Sequence, residues 1–451
     1  MTAVFALCAA YALFCLVTNP AGPITTPDSI HYLNMTPIVP LGYPFFLKIT
    51  GTPGAIIAQP IIFSAALAFM GRAIVRSTRS TWLAVATVAG CMIVPQIREY
   101  HASILSESLF LSLLIVLLGL SIRFAYHPTW RVMVLVAITV GVSAVVRRTG
   151  FAFVPVMLLM VLMQRHQLRP SQSALLLVAT LAPFAAIVAS EQVLAPIVHA
   201  GAPSSLMGRH LFAKAALIEA PPAQPSQDAV RRALDGQLET RLAPIRTVLA
   251  QAPYAARGVL TIYYETCLQG GCAAEARALT QETNEARQTE VMGAAGLARI
   301  QRAPLNFLRL TWLHYGSLWT VNRLRHPDTA PVLNQFIAEH RPMPFEEYAL
   351  GPGRTLVFDA SPNVRYAQWA IFVVAVITGA LAVTGIAGAV MGTRLPPELA
   401  VASVAALTAH GGLILTALLA AGLTRFLLGV WPALVVACAF GGWTVSQKIR
   451  R

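Results

Sequence analysis

Charged residues are what this chain lacks most. Asp, Glu, Lys and Arg make up only 12% of its 451 residues, whereas hydrophobic residues make up 56%. Soluble domains carry about 25% charged residues, so an ordinary soluble enzyme, a disordered chain and a coiled coil are excluded. A membrane protein with many spans is the class that remains.

Acidic residues are scarcer than basic ones, and most of them lie in one segment. The chain has 19 Asp and Glu against 33 Lys and Arg, and 14 of the acids lie in residues 197–365. An acid near a bilayer is energetically costly, so each of the others needs an explanation. The bases stand singly or in small groups between apolar runs, as in cytoplasmic loops, so no nucleic acid is expected as a partner. The five remaining acids are Asp28, Glu99, Glu107, Glu191 and Glu398.

Ten apolar runs are candidates for helices that cross a bilayer. They cover residues 2–19, 53–75, 81–97, 104–124, 130–146, 150–164, 172–195, 367–391, 398–421 and 426–446. With a cytoplasmic N-terminus, 11 of the 16 basic residues outside 197–365 lie in inner loops, as the positive-inside rule requires. We therefore expect an all-α polytopic protein of about ten transmembrane helices in a bacterial inner membrane, with both termini cytoplasmic.

Three regions follow from this topology. Residues 1–196 form an N-terminal transmembrane module whose first outer loop is 20–52, residues 197–365 form a largely helical periplasmic segment, and residues 366–451 form C-terminal transmembrane helices. Within the outer segment, the aromatic stretch 307–319 is expected to lie on the membrane surface or to cap a cavity. Cys267 and Cys272 flank two glycines there, and an oxidising outer face predicts a disulfide between them.

The few acids on the outer side are the first candidates for chemistry. Asp28 is the only acid in the first 98 residues. It precedes an apolar-periodic stretch and is interpreted either as a helix N-cap or as a general base at the membrane surface. Glu107 is either an acid favoured by the dipole of a first helical turn or a group facing the same cavity as Asp28. The further candidates for substrate contacts are His31, Tyr32, Tyr43, Glu99 and His101.

Arginines on the outer side break the positive-inside pattern. Arg147 and Arg148 are adjacent between two short apolar helices, and Arg425 precedes the last predicted span. Two interpretations stay open for the pair: snorkelling to the outer headgroups, or a cavity that binds an anion. The planar guanidinium fork suits phosphate.

Four segments share a pattern with a known family. They are Pro-Asp-Ser-x-x-Tyr-Leu at 27–33 with Gly-Tyr-Pro-x-Phe-Leu at 42–47, Leu-Ser-Glu-Ser-Leu-Phe at 105–110, Arg-Arg-Thr-Gly-x-x-x-x-Pro at 147–155, and Arg-Phe at 425–426 before Trp-Pro at 431–432. Together they resemble the GT-C class of polytopic glycosyltransferases, such as the polyprenyl-phosphate-mannose transferases. Ser29 departs from the Asp-Glu pair of mannosyltransferase-like members, and Arg148 stands where the family often has proline.

The resemblance implies a function and a mechanism. A sugar would pass from a polyprenyl-phosphate donor to an envelope lipid, polysaccharide or protein acceptor, with inversion, and Asp28 would be the general base. Arg147, Arg148 and Arg425 would bind the donor phosphate. Because some relatives use a divalent metal and others do not, the resemblance leaves a metal open and implies no other cofactor. The alternatives are a transporter or flippase for an anionic lipid or sugar, and a non-catalytic subunit of an envelope assembly.

Overall fold

The computed structural model describes residues 1–26, 28–164, 170–199, 207–223, 229–230, 232–236, 238–240, 278, 285–319, 363–419 and 425–449. Within these residues the chain is helical, and extended pairing is confined to an isolated parallel bridge between Ile24 and Ser103. The expected all-α class is therefore confirmed.

Sixteen α-helices and one 3-10 helix follow one another along the described part of the chain. They are α1 (Thr2–Thr18), α2 (Ser29–Leu33), α3 (Gly42–Thr78), α4 (Thr81–Met92), α5 (Pro95–Ala102), α6 (Glu107–Tyr126), α7 (Trp130–Val146), the 3-10 helix (Arg148–Ala152), α8 (Phe153–Gln164), α9 (Pro170–Val198), α10 (Met207–Ala215), α11 (Glu285–Arg302), α12 (Pro304–Leu318), α13 (Asn363–Met391), α14 (Pro397–Leu419), α15 (Arg425–Leu428) and α16 (Trp431–Ile449).

Several of these helices are long and apolar enough to cross a membrane. Among the described residues there are five, or six if the bent pair α4–α5, with its 64° break, is counted as one span. α1, α7 and the segment Arg148–Gln164 are shorter apolar helices. The chain thus has the helices of a membrane protein, while the count of ten spans and the orientation in the inner membrane remain predictions. The five long helices are Gly42–Thr78, Glu107–Tyr126, Ser171–Val198, Tyr366–Met391 and Pro397–Leu419.

The candidate spans differ in how much of their surface the protein buries. The apolar windows of α6 and α14 are 72% buried, whereas those of α9 and α13 are only 17% buried. A helix that is apolar on all sides and poorly covered by protein is stable only where lipid covers it. The protein therefore leaves most of the surface of α9 and α13 uncovered, as is expected of helices that contact lipid.

The helix α3 begins earlier than the predicted span 53–75. It starts at Gly42 and is broken at Gly51, which has a φ of 67° and a ψ of 166°. Gly51 tolerates this left-handed backbone because it has no Cβ, and Pro53 follows at once. The first nine residues of α3 consequently form a separate helical segment within what was predicted as the outer loop 20–52.

The chain divides into two compact units. The first comprises Met1–Ser204, Val374–Gly412 and Leu428–Arg451, and the second comprises Ser205–Val373 and Leu413–Leu427. In the first unit α6 packs against α3 and α7, α7 packs against α9, and α16 packs against α4. The Trp431 indole N–H of α16 donates to the Gly90 carbonyl at 2.9 Å.

The second unit has its own core, built from α10, α11, α12 and the described residues of the stretches 229–230, 232–236 and 238–240. Phe212, Leu234 and Met292 are buried together in it. Arg299 is fully buried and donates to the carboxylates of Asp235 and Glu239 and to backbone carbonyls. Because a buried guanidinium needs partners for its five donors, these bonds allow a charged group inside an apolar core.

Candidate functional site

The segment before α2 is held against the turn between α5 and α6. The Ile24 N–H donates to the Ala102 carbonyl at 2.8 Å, and the Ile104 N–H donates to the Ile24 carbonyl at 3.0 Å. The Ser29 hydroxyl donates to the Ile104 carbonyl at 2.9 Å. These bonds join two parts of the chain that are about 80 residues apart, and they fix the start of α2 beside the start of α6.

Four polar side chains converge at this junction, and we call them the Arg147 cluster: Tyr32, Ser106, Glu107 and Arg147. The hydroxyls of Tyr32 and Ser106 lie 2.9 Å apart. Arg147 Nη1 donates to Ser106 Oγ at 3.2 Å and pairs with Glu107 Oε1 at 2.9 Å. Three of the four sequence segments that carry the family resemblance thus meet at one set of contacts.

Burial and neighbouring charges shift the pKa values of two members of the cluster, Tyr32 and Arg147. Burial raises the pKa of the Tyr32 phenol above its usual value, and the negative charges of Glu107 and Asp28 raise it further. Burial is the largest single influence on the pKa of Arg147 and lowers it, but the charge and hydrogen bond of Glu107, together with Tyr32 and Tyr100, raise this pKa above its usual value. A buried cation therefore persists here because a carboxylate compensates its charge.

Asp28 immediately precedes α2, the helix that carries Tyr32. It occupies the N-cap position of α2, and its carboxylate accepts no capping hydrogen bond from the described backbone of that helix. Its backbone carbonyl accepts from the His31 N–H at 3.2 Å. Since its charge acts on the pKa of Tyr32, the carboxylate lies within electrostatic reach of the cluster.

A second polar chain supports the cluster from α3 and α5. The Tyr43 ring meets the Tyr32 ring edge-on, with centroids 5.0 Å apart, and the Tyr43 hydroxyl donates to Gln59 at 3.3 Å. The Gln59 amide donates to the carbonyls of His101 and Ser103 at 3.0 and 3.2 Å. Gln59 was not singled out from the sequence, although a glutamine within an apolar helix is an unusual polar residue that could have drawn notice.

Arg148 lies next to the cluster and has a partner of its own. Its Nη1 donates to Glu191 Oε2 at 2.6 Å, and Glu191 Oε1 accepts the Leu41 N–H at 3.2 Å. The Glu191 side chain is only 4% exposed, whereas that of Arg148 is 42% exposed. One carboxylate from α9 therefore ties the arginine turn to the segment before α3, a role that the sequence did not reveal.

The turn that carries both arginines is tightly packed on α7. A Cβ at Gly150 would lie 2.5 Å from the Ala144 nitrogen, so only glycine allows this approach. The neighbouring Thr149 hydroxyl is buried and has no hydrogen-bond partner within the described part of the chain. Such an orphaned group is a natural point for a ligand or a water molecule to bind.

The other predicted site residues take varied positions. His101 is fully buried, with Nδ1 2.7 Å from Ser108 Oγ, and supports the α5–α6 turn from inside.

Of the remaining predicted site residues, Glu99 and His31 make no contact with the cluster among the bonds described above. Glu99 is exposed on α5, and His31 Nδ1 lies 3.3 Å from Thr36 Oγ1. Arg425 begins α15, but its side chain lies outside the described residues, as do Cys267 and Cys272.

The described residues of this site do not include a set of side chains that could coordinate a divalent metal. Among the residues that the structure describes, no group of three or more His, Cys, Asp or Glu side chains could hold a metal ion. Glu107 is held by the Arg147 guanidinium, and a metal ligand would have to give up that ion pair. The described residues of this site therefore do not fit a metal.

Compared with protein-family models, curated proteins and solved structures, the chain matches none of them.

Proposed function

We propose that the chain is a membrane glycosyltransferase that moves a sugar from a polyprenyl-phosphate donor to an envelope lipid, polysaccharide or protein. The reaction would take place at the outer, periplasmic face of the inner membrane. The observation that supports this proposal is the Arg147 cluster, in which Ser106 contacts both Tyr32 and Arg147. Segments that share the GT-C pattern thereby meet at α2, the helix that follows Asp28, although they are about 40 to 115 residues apart in sequence.

In the proposed reaction Asp28 is the general base. An acceptor hydroxyl gives its proton to the Asp28 carboxylate while its oxygen forms a bond to the anomeric carbon of the donor sugar. The bond from that carbon to the phosphate oxygen breaks, and its electron pair leaves with polyprenyl phosphate. The attack comes from the side opposite the phosphate, so the configuration inverts. A positioned base typically contributes ~10²–10⁴-fold to such a rate.

The arginines are proposed to receive the charge of the leaving phosphate. Arg147 and Arg148 are adjacent, and Arg148 is the more exposed of the two. Guanidinium groups bind phosphate oxygens through paired hydrogen bonds, and fixed cations are most effective where water is scarce. Arg425 would join them according to the resemblance alone.

A comparison of lipid extracts tests the proposal whichever sugar the donor carries. Three cell lines are compared by mass spectrometry: cells with the chain, cells without it, and cells with Asp28→Asn. We expect a polyprenyl-phosphate sugar to accumulate in the second and third lines, and the same sugar mass to disappear from an envelope glycan.

The matched control is Glu290→Gln, which neutralises an exposed acid on α11. It should give the lipid profile of the unmodified chain, and immunoblots should show equal amounts of all variants. An unmodified profile with Asp28→Asn would contradict the role of Asp28. Movement of an anionic lipid across vesicles without sugar transfer would favour the transporter instead.

A further inference from the structure

Helix α12 in the second unit carries apolar side chains on two opposite faces. One face, with Phe307, Leu310 and Leu313, packs against the core of the unit. On the other face Leu305, Leu308 and Trp312 are 77%, 58% and 67% exposed. Their spacing of three and four residues places them in one stripe along the helix. A helix that only closed the core of a soluble unit would show polar side chains on this outer face.

The C-terminal end of α12 is tied to the beginning of a candidate membrane span. The Trp319 carbonyl, one residue beyond the helix, accepts a hydrogen bond from the Gln368 amide at 3.0 Å. Gln368 lies in the first turn of the span Tyr366–Met391. The end of a span lies at the boundary between hydrocarbon and headgroups. A bond from α12 to such an end would hold the C-terminal end of α12 at the same depth in the bilayer.

A second tie leads to the end of another candidate span. His314, on the inner side of α12, contacts the Lys214 amine, and Lys214 Nζ donates to the Ala417 carbonyl at 2.7 Å. Ala417 lies in the last turn of the span Pro397–Leu419. α12 is therefore linked to two span ends by contacts within the second unit.

The side chains around the stripe suit the headgroup region. Tyr366, Trp369 and Phe372 are exposed in the first turns of α13, as in the aromatic belts of membrane proteins. Trp312 and Tyr315 stack with ring centroids 5.5 Å apart on α12. Arg309 is exposed beside Leu308, where a guanidinium could bind a lipid phosphate.

We propose that α12 lies in the plane of the bilayer surface and binds phospholipid, with Leu305, Leu308 and Trp312 among the upper acyl carbons and Arg309 at the phosphates. This helix would anchor the second unit to the bilayer. The occupant of the stripe is the lipid interface, because both ties set the helix at the level where the spans end. The inference stands independently of the proposed sugar transfer.

Photocrosslinking from the helix to lipid tests this placement. The full chain, with Leu308→p-benzoylphenylalanine, is reconstituted in nanodiscs of phosphatidylcholine and phosphatidylglycerol, irradiated and analysed by mass spectrometry. We expect a covalent phospholipid adduct at position 308. Should that variant fold poorly, the same substitution at Leu305 makes the same test, since its side chain is even more exposed.

The matched control carries the crosslinker at Asn306. Asn306 is exposed on the same helix, but its amide donates to the Glu219 carbonyl at 2.8 Å, so it faces the flank of the second unit. A several-fold greater lipid adduct at 308 than at 306 would support the proposal. Equal yields at the two positions, or an adduct at 308 with a second protein chain in place of lipid, would overturn it.

Discussion

Replacing Glu107 by Gln should destabilise the fold strongly, because it leaves the Arg147 guanidinium without its carboxylate partner. The two groups pair at 2.9 Å, with side chains 7% and 18% exposed. Removing one partner of a buried ion pair costs about 3–5 kcal/mol. Since Arg147 also donates to Ser106, the lower part of that range, about 3 kcal/mol, is expected.

The magnitude distinguishes the ion pair with Arg147 from the helix-dipole interpretation of Glu107. If the residue only favours the dipole at the start of α6, the Gln variant loses about 0.3–1 kcal/mol. If the ion pair is the main interaction, the double variant Glu107→Gln with Arg147→Gln loses much less than the sum of the two single variants, because no charge remains buried. Contacting residues of this kind show coupling energies of about 0.5–3 kcal/mol, and a value in the upper half is expected.

The assay is denaturation of the purified chain by SDS in mixed micelles, followed by circular dichroism. The control Glu290→Gln neutralises an exposed acid on α11 and should stay within about 0.5 kcal/mol of the unmodified chain. Additive losses in the double variant, or a loss below about 1 kcal/mol in Glu107→Gln, would refute the ion pair as the centre of the cluster.

Three further changes have defined outcomes. If Arg148 binds the donor phosphate as proposed, Glu191→Gln weakens the contact that positions the Arg148 guanidinium, and we expect the KM for donor to rise about tenfold with little change in kcat, measured by steady-state kinetics. Gly150→Ala puts a Cβ 2.5 Å from backbone and should cost at least about 1–3 kcal/mol in the SDS assay, whereas Gly442→Ala, with nothing within 4 Å, should be neutral. Burial lowers the pKa of His210 to about 4. Because the unfolded chain binds a proton at this histidine at a higher pH than the folded chain, stability is lost as pH falls from about 6.5 to about 4. The variant His210→Gln should lose less stability over this range, measured by SDS denaturation at a series of pH values.

The helical class and the meeting of motif segments were accessible from the sequence for a physical reason. Apolar runs of span length leave the backbone few alternatives to helix, and scarce charges near a bilayer are rarely accidental. Glu107 and Arg147 were selected on that ground and Tyr32 because of the family resemblance, and the structure brings the three side chains to one junction. Their roles in catalysis stay predictions.

Other features depended on partners that no local pattern reveals. Glu191 was the only acid well inside a predicted span, but its contacts to Arg148 and Leu41 join residues 43 and 150 positions away. The early start of α3 was not predicted for two reasons. The apolar stretch 42–50 is too short to cross a membrane, and Gly51 and Pro53 after it are typical of a turn or loop rather than of a continuing helix. Gln59 acts through backbone carbonyls of a distant turn, which carry no signature in the sequence.

The most direct test of the proposed function is the release of polyprenyl phosphate by the purified chain. With the donor identified from lipid extracts, single-turnover release is followed in nanodiscs for the unmodified chain and for Asp28→Asn. We expect Asp28→Asn to lower the rate by ~10²–10⁴-fold while donor binding and the SDS midpoint stay unchanged. Release by Asp28→Asn at the rate of the unmodified chain would contradict it.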